Sequence, residues 1–372
     1  MKKKVLILYA TYGNGHKVVA DNIYNYLSSK KVEAKKIDIL DYIFPPTKIL
    51  SKTFFEKTMF SKIPIIWHCV YKFYNNKVCS LGSRQFCYQL FDKKKLRRQI
   101  KDFNPDIIIS SHFFASMLAS RYIKSGLTKA KLYTIITDFK IHEFWTKSFK
   151  EENAIIVSSK QMQKELIEKG IPKNKIKIYG IPVAWQFYEK KDINSLKKKY
   201  NISNNKITIL FFGGGNNSLS SLPFLKKLIA SNLNYQVFFI TGNNKRLKIQ
   251  AEKAVLEAQN QNIQVLGFCD SVDEYMSCSD LVITKPGGLT VSECLALKKP
   301  MLLINYSAGQ EKDNYKYLVE NNYAIKTSNP HKFEKVLKEI FTNPHILKSM
   351  QRSLKLKEHQ NSLASLIKLI LK

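Results

Sequence analysis

The 372-residue chain has no Cys-x-x-Cys pair and no Cys/His set at zinc spacing. Its six cysteines, Cys69, Cys79, Cys87, Cys269, Cys278 and Cys294, stand apart and read as reduced thiols of a cytosolic protein. The stretch His142-Glu-Phe-Trp lacks the second histidine of a zinc-protease helix, and there is no Asp-x-Asp, so no metal is expected. No apolar run approaches the roughly 18 residues of a spanning helix, and "VLILYA" after the charged start is too short for a secretory segment. A membrane role is therefore expected to be peripheral. Acidic residues are scarce: 29 Asp and Glu stand against 61 Lys and Arg, a formal net charge of +32. An anionic partner follows, whether nucleic acid, a membrane surface or a phosphorylated substrate. No nucleic-acid recognition motif is present, so that reading rests on charge alone and nucleic acid is not the expected partner.

What is present is a globular composition, 44% hydrophobic and 24% charged, over a length that suits two domains. Strand-like runs alternate with helical patterns. "KVLILYA", "VEAKKIDIL", "DIIISSH", "KLYTIITDF", "NAIIVSS" and "KIKIYGIPV" form one series. "KITILFF", "YQVFFITG", "IQVLGF", "DLVITKPGG" and "PMLLINY" form another. The rhythm predicts an α/β protein made of two doubly wound parallel sheets. The N-terminal domain is placed at 1–180, the connection at 181–205, the C-terminal domain at 206–350 and a closing helix at 351–372. Leu363, Leu366, Ile367 and Ile370 share one side of that last helix, which either packs across the domains or touches lipid. Residues 47–98 interrupt the first series. They interleave lysine with large aromatics, among them Phe54, Phe55 and Trp67, and end in the basic run Lys93–Arg98, which includes Arg97. Such a stretch suits a lipid interface or an ordinary helical insertion with a solvated basic side.

Ligands of open parallel sheets sit beyond the carboxyl ends of strands, and glycine-rich turns occur at several such ends. In "ITKPGGLTVSE", Gly287 and Gly288 admit a ligand close to the backbone, and the helix that follows offers its amides to an anion. Thr290 adds a hydroxyl. Glu293 can accept hydrogen bonds from the two hydroxyls of a ribose, or it can simply offset the helix dipole. Gln310, Glu311 and Asn314 in "NYSAGQEKDN" suit sugar hydroxyls, or cap a helix. In "TYGNGHKVVA", Gly13 and Gly15 precede His16 at a helix start, where an imidazole can act as a general base or as a structural donor. "ITDFKIHEFW" places Asp138 at another strand end, to orient or charge-stabilise a base or to cap a turn.

These motifs together resemble the family of monogalactosyldiacylglycerol synthases and processive diacylglycerol glucosyltransferases. The resemblance covers nearly the whole chain, and the ordered block from "ITKPGGLTVSE" to "GQEKDN" is its most specific part. It implies a GT-B fold, two Rossmann-like domains facing a central cleft, as in the N-acetylglucosaminyltransferase of peptidoglycan lipid II synthesis. It implies inverting transfer of a hexose, glucose rather than galactose, from a UDP-sugar to the primary hydroxyl of diacylglycerol on the cytoplasmic face of the membrane. Extension to a second sugar is left open. By the resemblance, His16 is the general base. The donor site comprises Gly15, Gly214, Asn216, Phe268 (through its backbone, at the uracil), Gly287, Gly288, Thr290, Glu293, Gln310, Glu311 and Asn314. The insertion, with Lys93, Arg97 and Arg98, corresponds to the region that meets acceptor and anionic lipid. The chain departs from the family pattern in Lys17-Val18-Val19 after the histidine and in Ala308 where proline is usual, and neither change removes a functional side chain. Transfer to a polyprenyl-diphosphate acceptor from UDP-N-acetylglucosamine, or epimerisation of a free nucleotide sugar, are the rival readings on the same fold.

Overall fold

The computed structural model describes residues 3–42, 93–214, 218–305, 310–327, 329–356 and 360–372. Phe54, Phe55, Trp67 and Asn216 lie outside the described residues, as does most of the aromatic insertion. The chain forms two compact units. The first comprises Met1–Trp185, Ser307–Asp313 and Gln360–Lys372, and the second Gln186–Tyr306 and Asn314–His359.

The first unit is built on a six-stranded sheet of β1 (Lys4–Tyr9), β2 (Glu33–Asp38), β3 (Ile107–Ser110), β4 (Lys131–Ile135), β5 (Glu152–Val157) and β6 (Ile176–Ile178). Their spatial order is β2-β1-β3-β4-β5-β6, and every neighbouring pair is parallel. Val5 to Leu8 are fully buried, as are Ile108 and Ile109. Such unbroken apolar strands are what a sheet covered by helices on both sides requires. β2, "EAKKID", is the charged edge strand that discourages pairing with a stranger.

The second unit holds β7 (Ile207–Phe212), β8 (Tyr235–Ile240), β9 (Ile263–Leu266), β10 (Leu281–Thr284), β11 (Met301–Leu303) and β12 (Ala324–Lys326), in the order β12-β11-β10-β7-β8-β9, again all parallel. In each sheet the direction of winding reverses once, between β1 and β3 in the first and between β7 and β10 in the second. At such a reversal the loops beyond the carboxyl ends diverge and leave a crevice.

Two expectations change in detail. The polar stretch read as a connection contains a helix, Ile193–Lys199, whose N-cap Asp192 accepts from Asn194 N at 3.0 Å and Ser195 N at 3.3 Å. The closing basic helix is two helices, His345–Leu356 and Ser362–Leu371. The second starts at Asn361, which accepts from Ala364 N at 2.9 Å, and it belongs to the first unit. Leu363, Leu366, Ile367 and Ile370 are buried there, and Ser362 Oγ donates to Ile181 O at 3.0 Å. The apolar side left open between packing and lipid is spent on packing.

β5 opens with a buried acid. Glu152 is 1% exposed, and its Oε1 accepts from Ser148 Oγ at 2.6 Å and Thr134 Oγ1 at 2.7 Å. Burial raises its pKa to about 7, and the two hydroxyls only partly oppose the rise. A carboxyl whose folded pKa is raised holds its proton in the native state while the unfolded chain has released it. Its contribution to stability is therefore greatest below the ordinary carboxyl pKa and falls as pH rises through about 7. Glu152→Gln removes the ionisation and keeps an acceptor for the hydroxyls. Calorimetry is expected to give variant and wild type similar Tm values near pH 5 and a higher Tm for the variant at pH 8. Equal pH dependence would show that Glu152 does not carry the effect.

Candidate functional site

Both crevices hold the residues singled out in the sequence. In the first unit the chain leaves β1 and turns at Gly13, whose φ of +84° favours glycine, into the helix Asn14–Ser29. Gly15 follows in the first turn, and a Cβ built on it would meet nothing within 4 Å. His16 comes next and reaches across the reversal. Its Nδ1 lies 2.7 Å from Ser111 O, just past β3, and 3.0 Å from Thr137 Oγ1, past β4. Ser111 Oγ in return donates to His16 O at 3.0 Å. A carbonyl can only accept, so this bond assigns the proton to Nδ1 and leaves the lone pair on Nε2. The residue as a whole is half-buried, and the surrounding protein strips enough water from the ring to lower its pKa to about 4. His16 is therefore neutral and able to accept a proton near pH 7.

Two more imidazoles lie beside it. His112 is 4.6 Å from His16 between ring centroids, edge on. It caps the helix Phe113–Lys124 by accepting from Phe114 N at 3.1 Å, and burial holds its pKa well below the ordinary value, reinforced by His16 and His142. His142 is buried as well, its pKa lowered to about 3 by burial and then by His16. Phe113 lies between these two, with centroids 4.2 Å from His112 and 5.2 Å from His142. The sequence reading missed His112. The signal was there, a histidine directly beyond a buried strand, but nothing in one sequence says that β1 and β3 are neighbours. Asp138 is nearly buried, with its backbone carbonyl bonded by Ser158 Oγ at 3.2 Å. Within this unit, which includes residues 307–313, Gln310 Nε2 donates to Asp138 Oδ2 at 3.3 Å.

In the second unit the loops after β7 and β10 flank the reversal. Gly213 is a packing glycine: a Cβ there would stand 2.7 Å from Leu247 Cδ2 and 2.8 Å from Phe239 Cζ. Gly214 has φ +90°. After β10, Gly287 N donates to Lys285 O at 2.8 Å, and Gly287 becomes the N-cap of the helix Gly288–Ala296 with no side-chain capping bond. Gly287 has an ordinary φ of −71°, and a Cβ on it would meet nothing within 4 Å. Neither backbone strain nor packing explains glycine there. Glycine is a favoured N-cap, and its missing Cβ also leaves the first-turn amides open to an anion. Gly288 and Thr290 lie half-buried in that turn. Glu293 lies half-buried in the next, its pKa raised to about 8 by burial and then by the charge of Asp273. Asp273 itself pairs with Lys191 at 3.0 Å.

The remaining expected residues fall into four groups. Phe268, past β9, is 67% exposed. Gln310 and Glu311 open the helix Gln310–Glu320 and are half-buried. Asn314, expected to meet sugar hydroxyls, is 1% exposed and donates from Nδ2 to Pro286 O at 3.0 Å. That amide braces the glycine turn and is not available to a sugar. Lys93 precedes the helix Lys94–Phe103, which buries Leu96 and Ile100 and exposes Arg97 and Arg98. Among the described residues no helix is long and apolar enough to cross a membrane.

Comparison with known proteins agrees with this layout. Residues 16–183 match the monogalactosyldiacylglycerol (MGDG) synthase model, and residues 208–367 match the glycosyltransferase family 28 C-terminal domain. The chain is 27% identical to the processive diacylglycerol beta-glucosyltransferase of Bacillus subtilis (strain 168), with 100% of this chain and 95% of the relative covered. Among solved structures it is similar to Acinetobacter baumannii MurG, with TM-score 0.64, 14% identity and 99% of each chain covered. It is also similar to the UDP-GlcNAc 2-epimerase of Neisseria meningitidis bound to UDP-GlcNAc, with TM-score 0.59, 12% identity and 99% of each chain covered. The two structural likenesses establish the GT-B fold and nothing finer.

The two glycines are expected to respond differently to a methyl group. Gly213→Ala overpacks the site and is expected to cost about 1–3 kcal/mol in urea unfolding. Gly287→Ala is expected to stay within about 1 kcal/mol of wild type, because alanine's weaker capping is offset by a less free unfolded chain. A large loss at Gly287 would mean that the fold itself requires the glycine.

Proposed function

We propose that this chain, which matches the MGDG synthase model and the glycosyltransferase family 28 C-terminal domain, moves a hexose from a UDP-sugar to the primary hydroxyl of diacylglycerol. The observation that carries the reading is the bond from His16 Nδ1 to the Ser111 carbonyl, which leaves Nε2 as a fixed proton acceptor. In this reading the acceptor hydroxyl gives its proton to His16 Nε2. Its oxygen attacks the anomeric carbon from the side opposite the diphosphate, the bond from that carbon to the diphosphate oxygen breaks, and UDP leaves. Attack from behind inverts the centre and gives a β-glycoside. The first-turn amides at Gly287, Gly288 and beyond meet the charge that develops on the diphosphate, so the step requires no metal. Glu293 accepts from the ribose hydroxyls, and the backbone at Phe268 holds the uracil. Gln310 and Glu311 serve the donor sugar.

The relative from Bacillus subtilis, named for diacylglycerol and glucose, supports glucose as the sugar and diacylglycerol as the acceptor. Action at the cytoplasmic face of a membrane is supported by the helix Lys94–Phe103, which turns Lys94, Lys95, Arg97, Arg98 and Lys101 outward over a buried Leu96 and Ile100.

Purified protein with anionic vesicles containing diacylglycerol, offered labelled UDP-glucose, UDP-galactose and UDP-N-acetylglucosamine separately, is expected to label lipid from UDP-glucose. His16→Ala is expected to lower transfer by about 10²–10⁴-fold and to leave UDP binding unchanged. Because His16 stays neutral down to about pH 4, its protonation is expected not to limit kcat/KM between pH 6 and 8. An acid limb at pH 6.5 that disappears in His16→Ala would overturn the lowered pKa while keeping His16 as the base, and full activity of that variant would remove His16 from the role. No lipid product from any donor, with UDP still bound, would point to a free nucleotide sugar or a polyprenyl acceptor instead.

A further inference from the structure

Two neighbouring imidazoles at the first crevice carry opposite tautomers. His16 Nδ1 donates to Ser111 O at 2.7 Å, which leaves a lone pair on Nε2. His112 is set the other way. A backbone amide can only donate, and Phe114 N donates to His112 Nδ1 at 3.1 Å. Burial keeps that ring uncharged, so its one proton sits on Nε2. The two ring centroids are 4.6 Å apart. A proton acceptor and a hydrogen-bond donor therefore stand side by side just past β1 and β3.

Capping uses only one nitrogen of His112. The helix Phe113–Lys124 needs a single acceptor at its start, and an asparagine would supply it. The second nitrogen has no part in the cap, and among the described residues no acceptor is hydrogen-bonded to it. The residue is nonetheless held in place. His112 O accepts from Ser116 N at 3.0 Å and from Ser110 Oγ at 2.9 Å, and Phe113 stacks on the imidazole at 4.2 Å between centroids. His112 is nearly buried. A fixed donor in a place so poor in water discriminates sharply between a ligand that offers it an acceptor and one that does not.

The acceptor lipid carries the matching pair of groups. In diacylglycerol the free primary hydroxyl and an ester stand on adjacent carbons. The hydroxyl needs an acceptor for its proton, and the ester carbonyl needs a donor. We propose that His112 Nε2–H donates to this ester carbonyl while the hydroxyl beside it gives its proton to His16 Nε2, so that His112 selects an ester-linked acceptor. The proposal rests on the diacylglycerol reading given above and adds to it the residue that recognises the ester. His112 keeps its proton throughout and forms no covalent bond.

The test uses the full chain, labelled UDP-glucose and two acceptors of equal chain length in anionic vesicles, diacylglycerol and dialkylglycerol. The second has the same hydroxyl, but an ether oxygen, a poorer acceptor, replaces the ester. Wild type is expected to prefer the diacyl lipid by about tenfold in kcat/KM. Two variants separate the nitrogens of His112, because the oxygen of asparagine falls near the place of Nδ1 and the amide nitrogen of glutamine near that of Nε2. His112→Asn keeps the cap and loses the donor. It is expected to hold the wild-type Tm and to bring the two acceptors within about twofold of each other. His112→Gln keeps the donor and loses the cap, so it is expected to lower the Tm and retain most of the preference. An undiminished preference in His112→Asn would overturn the proposal and leave the transferase reading standing. So would a wild-type preference below about twofold, a result that does not depend on either variant folding. If wild type labelled neither lipid, the diacylglycerol reading would fall and this proposal with it.

Discussion

A single hydrogen bond, from the imidazole of His16 to the carbonyl of Ser111, ties together the two loops that part where the first sheet reverses its winding. Much else in that unit follows from it. The bond exists because β1, buried from Val5 to Leu8, and the buried β3 are neighbours, and because Gly13 turns the chain sharply enough to start a helix over the gap. It sets the tautomer, and so decides which nitrogen can act. It also keeps the ring in surroundings that strip water from it. The same surroundings, with His112 and His142 close by, make a second or third positive charge costly, so the cluster remains uncharged across the physiological range.

The second sheet uses glycine for three different reasons within a short space. Gly213 is small because Leu247 and Phe239 fill the place a methyl would take. Gly214 needs its positive φ. Gly287 has neither constraint, and its missing side chain leaves the first turn of the helix open. Sequence shows three equal letters, and only the fold separates the packed glycine from the one with positive φ and the one left open. Asn314 makes the same point for a polar residue. Its amide looked suited to a sugar but is used to hold the Pro286 carbonyl, one step before the glycine turn it supports.

Most of the fold was legible because parallel strands buried on both sides are unbroken apolar runs, and such runs are hard to mistake. β12 escaped because it is three residues long, Ala-Ile-Lys, at the sheet's edge, where one buried position is enough. The split between His345–Leu356 and Ser362–Leu371 escaped because helical periodicity alone does not show that the second piece packs with a different unit. His16, Gly287 and Glu293 were legible as members of motifs. His112 was not, since its importance comes from strand order, a property of pairings between distant residues that one sequence does not display.

The return of the last helix has a consequence for how the protein is made. Leu363, Leu366 and Ile370 complete the core of a unit whose sheet is encoded in the first half of the chain. During synthesis that sheet can pair as soon as β6 has emerged from the ribosome, but one side of the helix Asn14–Ser29 stays uncovered until residues 362–371 arrive. For most of translation the first unit is thus a nearly finished domain with an apolar surface exposed to water, and it closes only after the whole second unit has been threaded out.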